Sequence, residues 1–201
     1  MQIQNKYIGD DKMQKMLNHY HCEMPLDVVK LRFAGAVCSP HLELRPGDVI
    51  SSFWPSGSEP RLQTKEEAEL FFKFFMGLWD EMYAKVSENK IKLPELGKLD
   101  SPKLTAACRE RFEQIEQGFI EGFWGGQSDL KIPAYIAEIL DSLSDLAALY
   151  PAFAARAATE KDLKNLMEAV AHTDKLVNRS LAFIIENFVQ PRMENPQQKS
   201  Q

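Results

Sequence analysis

Between Thr64 and Glu88 the chain places apolar side chains at almost every helical turn and on more than one face. Ala68, Phe71, Phe72, Phe75, Trp79, Met82 and Val86 fall on one face, and Leu70, Phe74 and Leu78 on a second. A helix with two apolar faces has to be enclosed by other elements, so this segment is expected to be central and buried on two sides. Thr64 and Glu67 have the spacing of a capping box, in which each side chain satisfies an orphan donor at the helix start. Gly77 among bulky neighbours predicts a close backbone approach.

The same period recurs elsewhere. A short helix is expected around Met13, Met16 and Leu17. A second begins near Pro25 with Leu26, Val29, Phe33 and Val37 as its stripe, and ends at Ser39-Pro40. Pro46-Gly47-Asp48 opens a brief turn or helix through Phe53-Trp54, and residues 55–60 read as a chain reversal. Residues 89–100, with Pro94, Gly97 and alternating lysines, read as a linker. Ser101-Pro102 reads as an N-cap followed by proline at the first helical position. Leu104, Cys108, Phe112, Ile115, Phe119 and Phe123 then form a stripe that Gly125-Gly126 ends.

Pro133 opens a helix with Ile136, Ile139, Leu140, Leu143, Leu146 and Leu149 inward, ending before Pro151. Thr159 and Asp162 resemble the cap of a long last helix carrying Leu163, Met167, Val170, Val177, Leu181, Ile184 and Phe188, which Pro191 closes. No segment alternates as a strand does. The expected fold is all-α: one domain of about six to seven helices with a long C-terminal helix. Residues 1–24 form an N-terminal segment, 25–190 the helical domain and 191–201 a disordered tail.

The formal charge of -5 argues against a general nucleic-acid binder, which needs a concentrated cationic face. Lys90, Lys92, Lys98 and Lys103 flank Pro94 and Gly97 with no aromatics among them and read as a solvated loop. Cys22, Cys38 and Cys108 are too few and too scattered for a disulfide framework, which predicts a reducing, cytoplasmic setting. The N-terminus lacks a secretory apolar region, and no apolar run approaches the roughly 20 residues of a membrane span.

His19, His21 and Cys22 form the one metal-like cluster. On a helix His19 and His21 point apart, and adding Glu23 and His41 still leaves an incomplete shell, so a surface patch is the expected reading. Glu168 and His172 are four residues apart and lack the second copy a helical di-iron site needs. Ser56 and Ser58 sit in a turn without a matched base, and no phosphate or dinucleotide fingerprint is present. No catalytic residue, cofactor or metal is expected. Gly118 and Gly122 form a G-x-x-x-G step that brings two backbones together, either in an intramolecular crossing or as a dimer contact.

Three segments in order resemble the YecA/YgfB-like family of bacterial proteins. They are Leu31 to Pro40 with the embedded Gly35; Glu66-Glu67 through Phe72 on to Leu78-Trp79 and Met82; and Gln117-Gly118-Phe119-Ile120-Glu121-Gly122-Phe123. The likeness covers roughly residues 25–190. Val49 departs from it, standing where many relatives have tryptophan, and the C-terminal Cys- and His-rich motif of some relatives is missing. The resemblance implies an all-helical, dimeric protein without zinc, and no particular activity. The expected function is a homodimeric, non-enzymatic protein-interaction or regulatory module with an unidentified protein partner. The alternative is a small-ligand binder or an enzyme using the aromatic core around residues 71–82.

Overall fold

A computed structural model describes residues 6–159 and 163–194. Among these residues there are seven helices, counting continuous ones once, and no strand. They are α1 (Asp10–His19), α2 (Leu26–Cys38), α3 (Pro46–Ser51), α4 (Lys65–Ser87), α5 (101–124), α6 (134–157) and α7 (164–194). Helix α5 joins Ser101–Glu113 to Glu121–Trp124 through a π-helical stretch, Gln114–Ile120. Helix α6 turns at Ala148 between Ala134–Ala147 and Leu149–Ala157, and α7 contains a second π stretch, Ile185–Val189. None of the described helices is long and apolar enough to cross a membrane.

One apolar core runs through all seven helices. Met13, Met16 and Leu17 of α1 are buried in it, so α1 packs as part of the domain, and residues 1–5 lie outside those described. The linker is also more than a solvated loop. Its lysines point outward while Ile91 and Leu93 are buried, and Leu93 N–H donates to Asn178 Oδ1 on α7 at 2.7 Å.

Several boundaries move for identifiable reasons. The N-cap of α5 is Asp100, whose carboxylate accepts from Lys103 N–H, while the Ser101 hydroxyl turns to the Ala157 carbonyl at the end of α6. Thr64 caps α4 as expected, but the Glu67 carboxylate reaches back one residue further, to Gln63 N–H. Pro151 does not end α6. It lies in the first turn of Leu149–Ala157, where a missing N–H removes no helical bond.

Thr159 serves the end of α6, its hydroxyl bonded to the Ala155 and Arg156 carbonyls, and Asp162 lies outside the described residues. Pro191 does not close α7, which continues to Glu194. The π stretch directly before it already departs from the i to i−4 ladder that proline would break. Residues 191–194 of the expected tail are thus helical, and residues 195–201 lie outside those described. Arg192, now helical, stacks 4.1 Å over Phe188 and donates to the carbonyls of Cys38, the last residue of α2, and Ser39, its C-cap.

Helix α4 departs most from expectation. Phe71, Phe75, Leu78, Met82 and Val86 are buried, but Leu70 and Phe72 are exposed, so only one face is enclosed. Gly77 meets the backbone of Lys6 and Tyr7, the close approach its position predicts.

Candidate functional site

The α2–α5 crossing sets the geometry around which the rest is built. A Cβ on Gly35 would overlap the Phe119 carbonyl oxygen and sit 2.8 Å from Phe123 N. A Cβ on Gly122 would overlap the Arg32 carbonyl oxygen, and one on Gly118 would lie 3.0 Å from Leu31 Cβ. Three glycines on two helices thus let the backbones touch. Gly118 and Gly122 are buried against α2 of the same chain, so that face is not free to meet a second copy.

Two arginines are buried beside α5, and the chain treats them differently. Arg111 donates to Asp174 Oδ2 from Nε at 3.3 Å and Nη2 at 3.2 Å, to Gln114 Oε1 at 2.7 Å and to the Pro94 carbonyl. Tyr150 O–H donates to Asp174 Oδ1 at 2.6 Å, and Gln114 is held in turn by Glu110. Burial first, then the Asp174 hydrogen bond, pushes the Tyr150 hydroxyl far above its ordinary value. A cleft of about 390 Å³ lies over this cluster, between the linker at 93–97 and α7. Both Asp174 oxygens are engaged, so the cluster locks α5, α6, α7 and the linker together.

Arg32 of α2 is buried as well. Its Nε donates to the Gln117 carbonyl inside the π stretch at 2.7 Å, and Nη1 donates to the Ser52 carbonyl and hydroxyl at 2.9 and 3.0 Å. Nη2 is paired with Glu121. Burial pulls this guanidinium below the usual arginine value, with Glu121 the main opposing influence. A pocket of about 470 Å³ opens here, walled by Leu44, Val49, Ile120 and Trp124.

The metal-like residues do not assemble. His19 meets Tyr20 edge-on, and Cys22 is buried with its sulfur toward the Phe53 and Met24 carbonyls. His21 and Glu23 are exposed, and His41 lies beside Gly125 at the end of α5. Among the described residues no three His, Cys, Asp or Glu side chains are placed to hold a metal ion. Burial holds Cys108 up at about 11 and Cys38 up at about 12, so both are protonated thiols at neutral pH and poor nucleophiles.

The aromatic core is occupied by its own rings. Phe71 and Phe75 lie 4.7 Å apart, Phe33 and Phe53 5.0 Å, and Phe33 and Trp79 5.5 Å. What remains open on α4 is its outer face. Phe72, Met76, Trp79 and Tyr83 are spaced four, three and four residues apart and share one side of the helix. Phe72 is 46% and Tyr83 49% exposed, with Met76 and Trp79 half-buried between them.

Fold and site together define an all-α protein with a buried Arg111–Asp174 pair, a pocket beside Arg32 and a partly exposed apolar face on α4. Comparison with family models, curated proteins and solved structures finds no match to this chain.

Proposed function

We propose that this chain is a non-enzymatic interaction module that works as a homodimer in the cytoplasm, pairing through the outer face of α4. The observation that carries the reading is the stripe Phe72, Met76, Trp79 and Tyr83. Its 4-3-4 spacing reads the same from either end. A twofold axis at its centre sets Phe72 against Tyr83 of the second copy, and Met76 against Trp79. This is the self-complementarity an isologous interface requires. The same antiparallel arrangement brings Lys73, which flanks the stripe, toward Asp80 of the other copy. Three free, buried cysteines suit a reducing compartment.

The chain also reads as a divergent relative of the YecA/YgfB-like family. In support, two of the three resembling segments, 31–40 and 117–123, are the ones that meet at the glycine crossing.

Sedimentation equilibrium at micromolar protein tests the pairing. The wild type is expected to sediment as a dimer and Phe72→Glu as a folded monomer, because the substitution buries a charge at the seam while sitting at an exposed position of the single chain. A wild-type monomer throughout that range would remove the proposal, as would a Phe72→Glu dimer of unchanged affinity.

A further inference from the structure

The contrast between the two buried arginines points to a binding site. A buried guanidinium needs its charge compensated and its N–H groups bonded, since its desolvation is otherwise strongly unfavourable. Arg111 meets that need with Asp174, whose side chain is 11% exposed and also holds Tyr150. Arg32 meets it with Glu121, whose side chain is 58% exposed. Among the described residues, Arg32 is the hydrogen-bond partner of that carboxylate. One counter-ion is fixed inside the fold, and the other leans in from solvent at the mouth of a pocket.

The guanidinium itself is held by the backbone around it. Gln117 and Ser52 hold three of the five Arg32 donors, so the guanidinium cannot follow Glu121 outward. The Gln117 carbonyl belongs to the π stretch of α5, and π turns within α-helices are frequent at functional sites. Leu44, Val49, Ile120 and Trp124 supply the apolar part of its walls. Gly125 and Gly126, both left-handed, bring bare backbone to the rim, and nothing lies within 4 Å of a Cβ position on Gly126. The volume of about 470 Å³ falls within the range of small-molecule sites. Asp48 also lines the pocket, its carboxylate accepting from Arg45 N–H at 3.0 Å, and Arg32 is the one cation among the lining residues.

We infer that the Arg32 pocket binds a small monocarboxylate with an apolar body, and that Glu121 is the internal carboxylate such a ligand displaces. The ligand carboxylate takes Arg32 Nη2 as Glu121 swings into water, and its apolar body replaces solvent between Leu44, Val49, Ile120 and Trp124. No bond is made or broken. A neutral ligand of the same shape leaves Glu121 in place and gains no charged anchor.

Octanoate is a suitable probe, titrated calorimetrically into the full-length protein with octanol as its uncharged counterpart. Octanoate is expected to bind one per chain and octanol at least about tenfold more weakly. Glu121→Gln removes the internal competitor at an exposed position and is expected to tighten octanoate binding about fivefold. Leu44→Trp, a half-buried position on the pocket wall, is expected to abolish binding while leaving the circular dichroism spectrum unchanged. Equal affinity for octanoate and octanol would overturn the assignment, as would a Glu121→Gln affinity equal to wild type. So would no detectable binding to either protein, or binding that survives Leu44→Trp.

Discussion

Gly35→Ala and Gly122→Ala are each expected to lower stability by about 3–5 kcal/mol, a large part of what a domain of this size possesses. The added methyl has nowhere to go. At both positions it meets backbone of the opposing helix, the Phe119 and Phe123 peptide groups in one case and Arg32 in the other, and backbone cannot rotate aside as a side chain tip can. Relief requires α2 and α5 to separate. That would loosen the contacts of Phe33, Phe119 and Phe123 and shift the Gln117 carbonyl that seats Arg32. Gly47→Ala is the internal control. It also sits in a helix, but nothing lies within 4 Å of its Cβ position, so alanine there is expected to be neutral or stabilising by up to about 1 kcal/mol. Urea denaturation monitored by circular dichroism measures all three.

Asp174→Ala is expected to cost about 3–5 kcal/mol by the same measurement, because it strands the Arg111 guanidinium in the interior and leaves the Tyr150 hydroxyl without its acceptor. The cluster also carries a pH dependence. In the folded chain the Tyr150 pKa is raised above the 10.0 of a free tyrosine. The unfolded chain therefore loses this proton first, so the contribution of Tyr150 is complete below pH 10 and is lost as pH rises beyond it. Tyr150→Phe is expected to flatten the fall in stability above pH 10, measured by urea melts at successive pH values. An identical slope in wild type and variant would contradict that assignment.

Much of this fold is legible in the residues. The all-α class, the starts and ends of α2 and α4, the buried side of α1 and the close approach at Gly77 all follow from helical periodicity and from proline and glycine placement. What escaped was of two kinds. The first was charge on an apolar stripe. Leu104, Cys108, Arg111 and Ile115 keep a 4-3-4 spacing, as do Val170, Asp174, Val177 and Leu181. Each ionised group therefore occupies a slot where the pattern expects a hydrophobe. A stripe interrupted once by Arg on one helix and once by Asp on another was a readable sign of a buried pair, but which partners meet depends on tertiary packing.

The second was exposure. Phe72 and Leu70 look as apolar as Phe71 and Phe75, and periodicity locates a face without saying what covers it. The π stretches were equally hidden, since a widened turn is a response to packing. That at 114–120 accompanies the burial of both Arg111 and Gln114, and that at 185–189 accompanies a proline that the helix passes through.

The proposed pairing through α4 can be tested by where two copies can be joined. On antiparallel helices centred between Met76 and Trp79, position 72 of one copy faces position 83 of the other. Two copies of position 72 lie eleven residues apart along the axis, roughly 16 Å, beyond disulfide reach. The three native thiols are buried and do not compete. On mild oxidation the double variant Phe72→Cys/Tyr83→Cys is expected to run as a covalent dimer on non-reducing gels, while either single variant stays monomeric. A double variant that fails to cross-link, or single variants that cross-link as well as the double, would contradict a dimer built on this face.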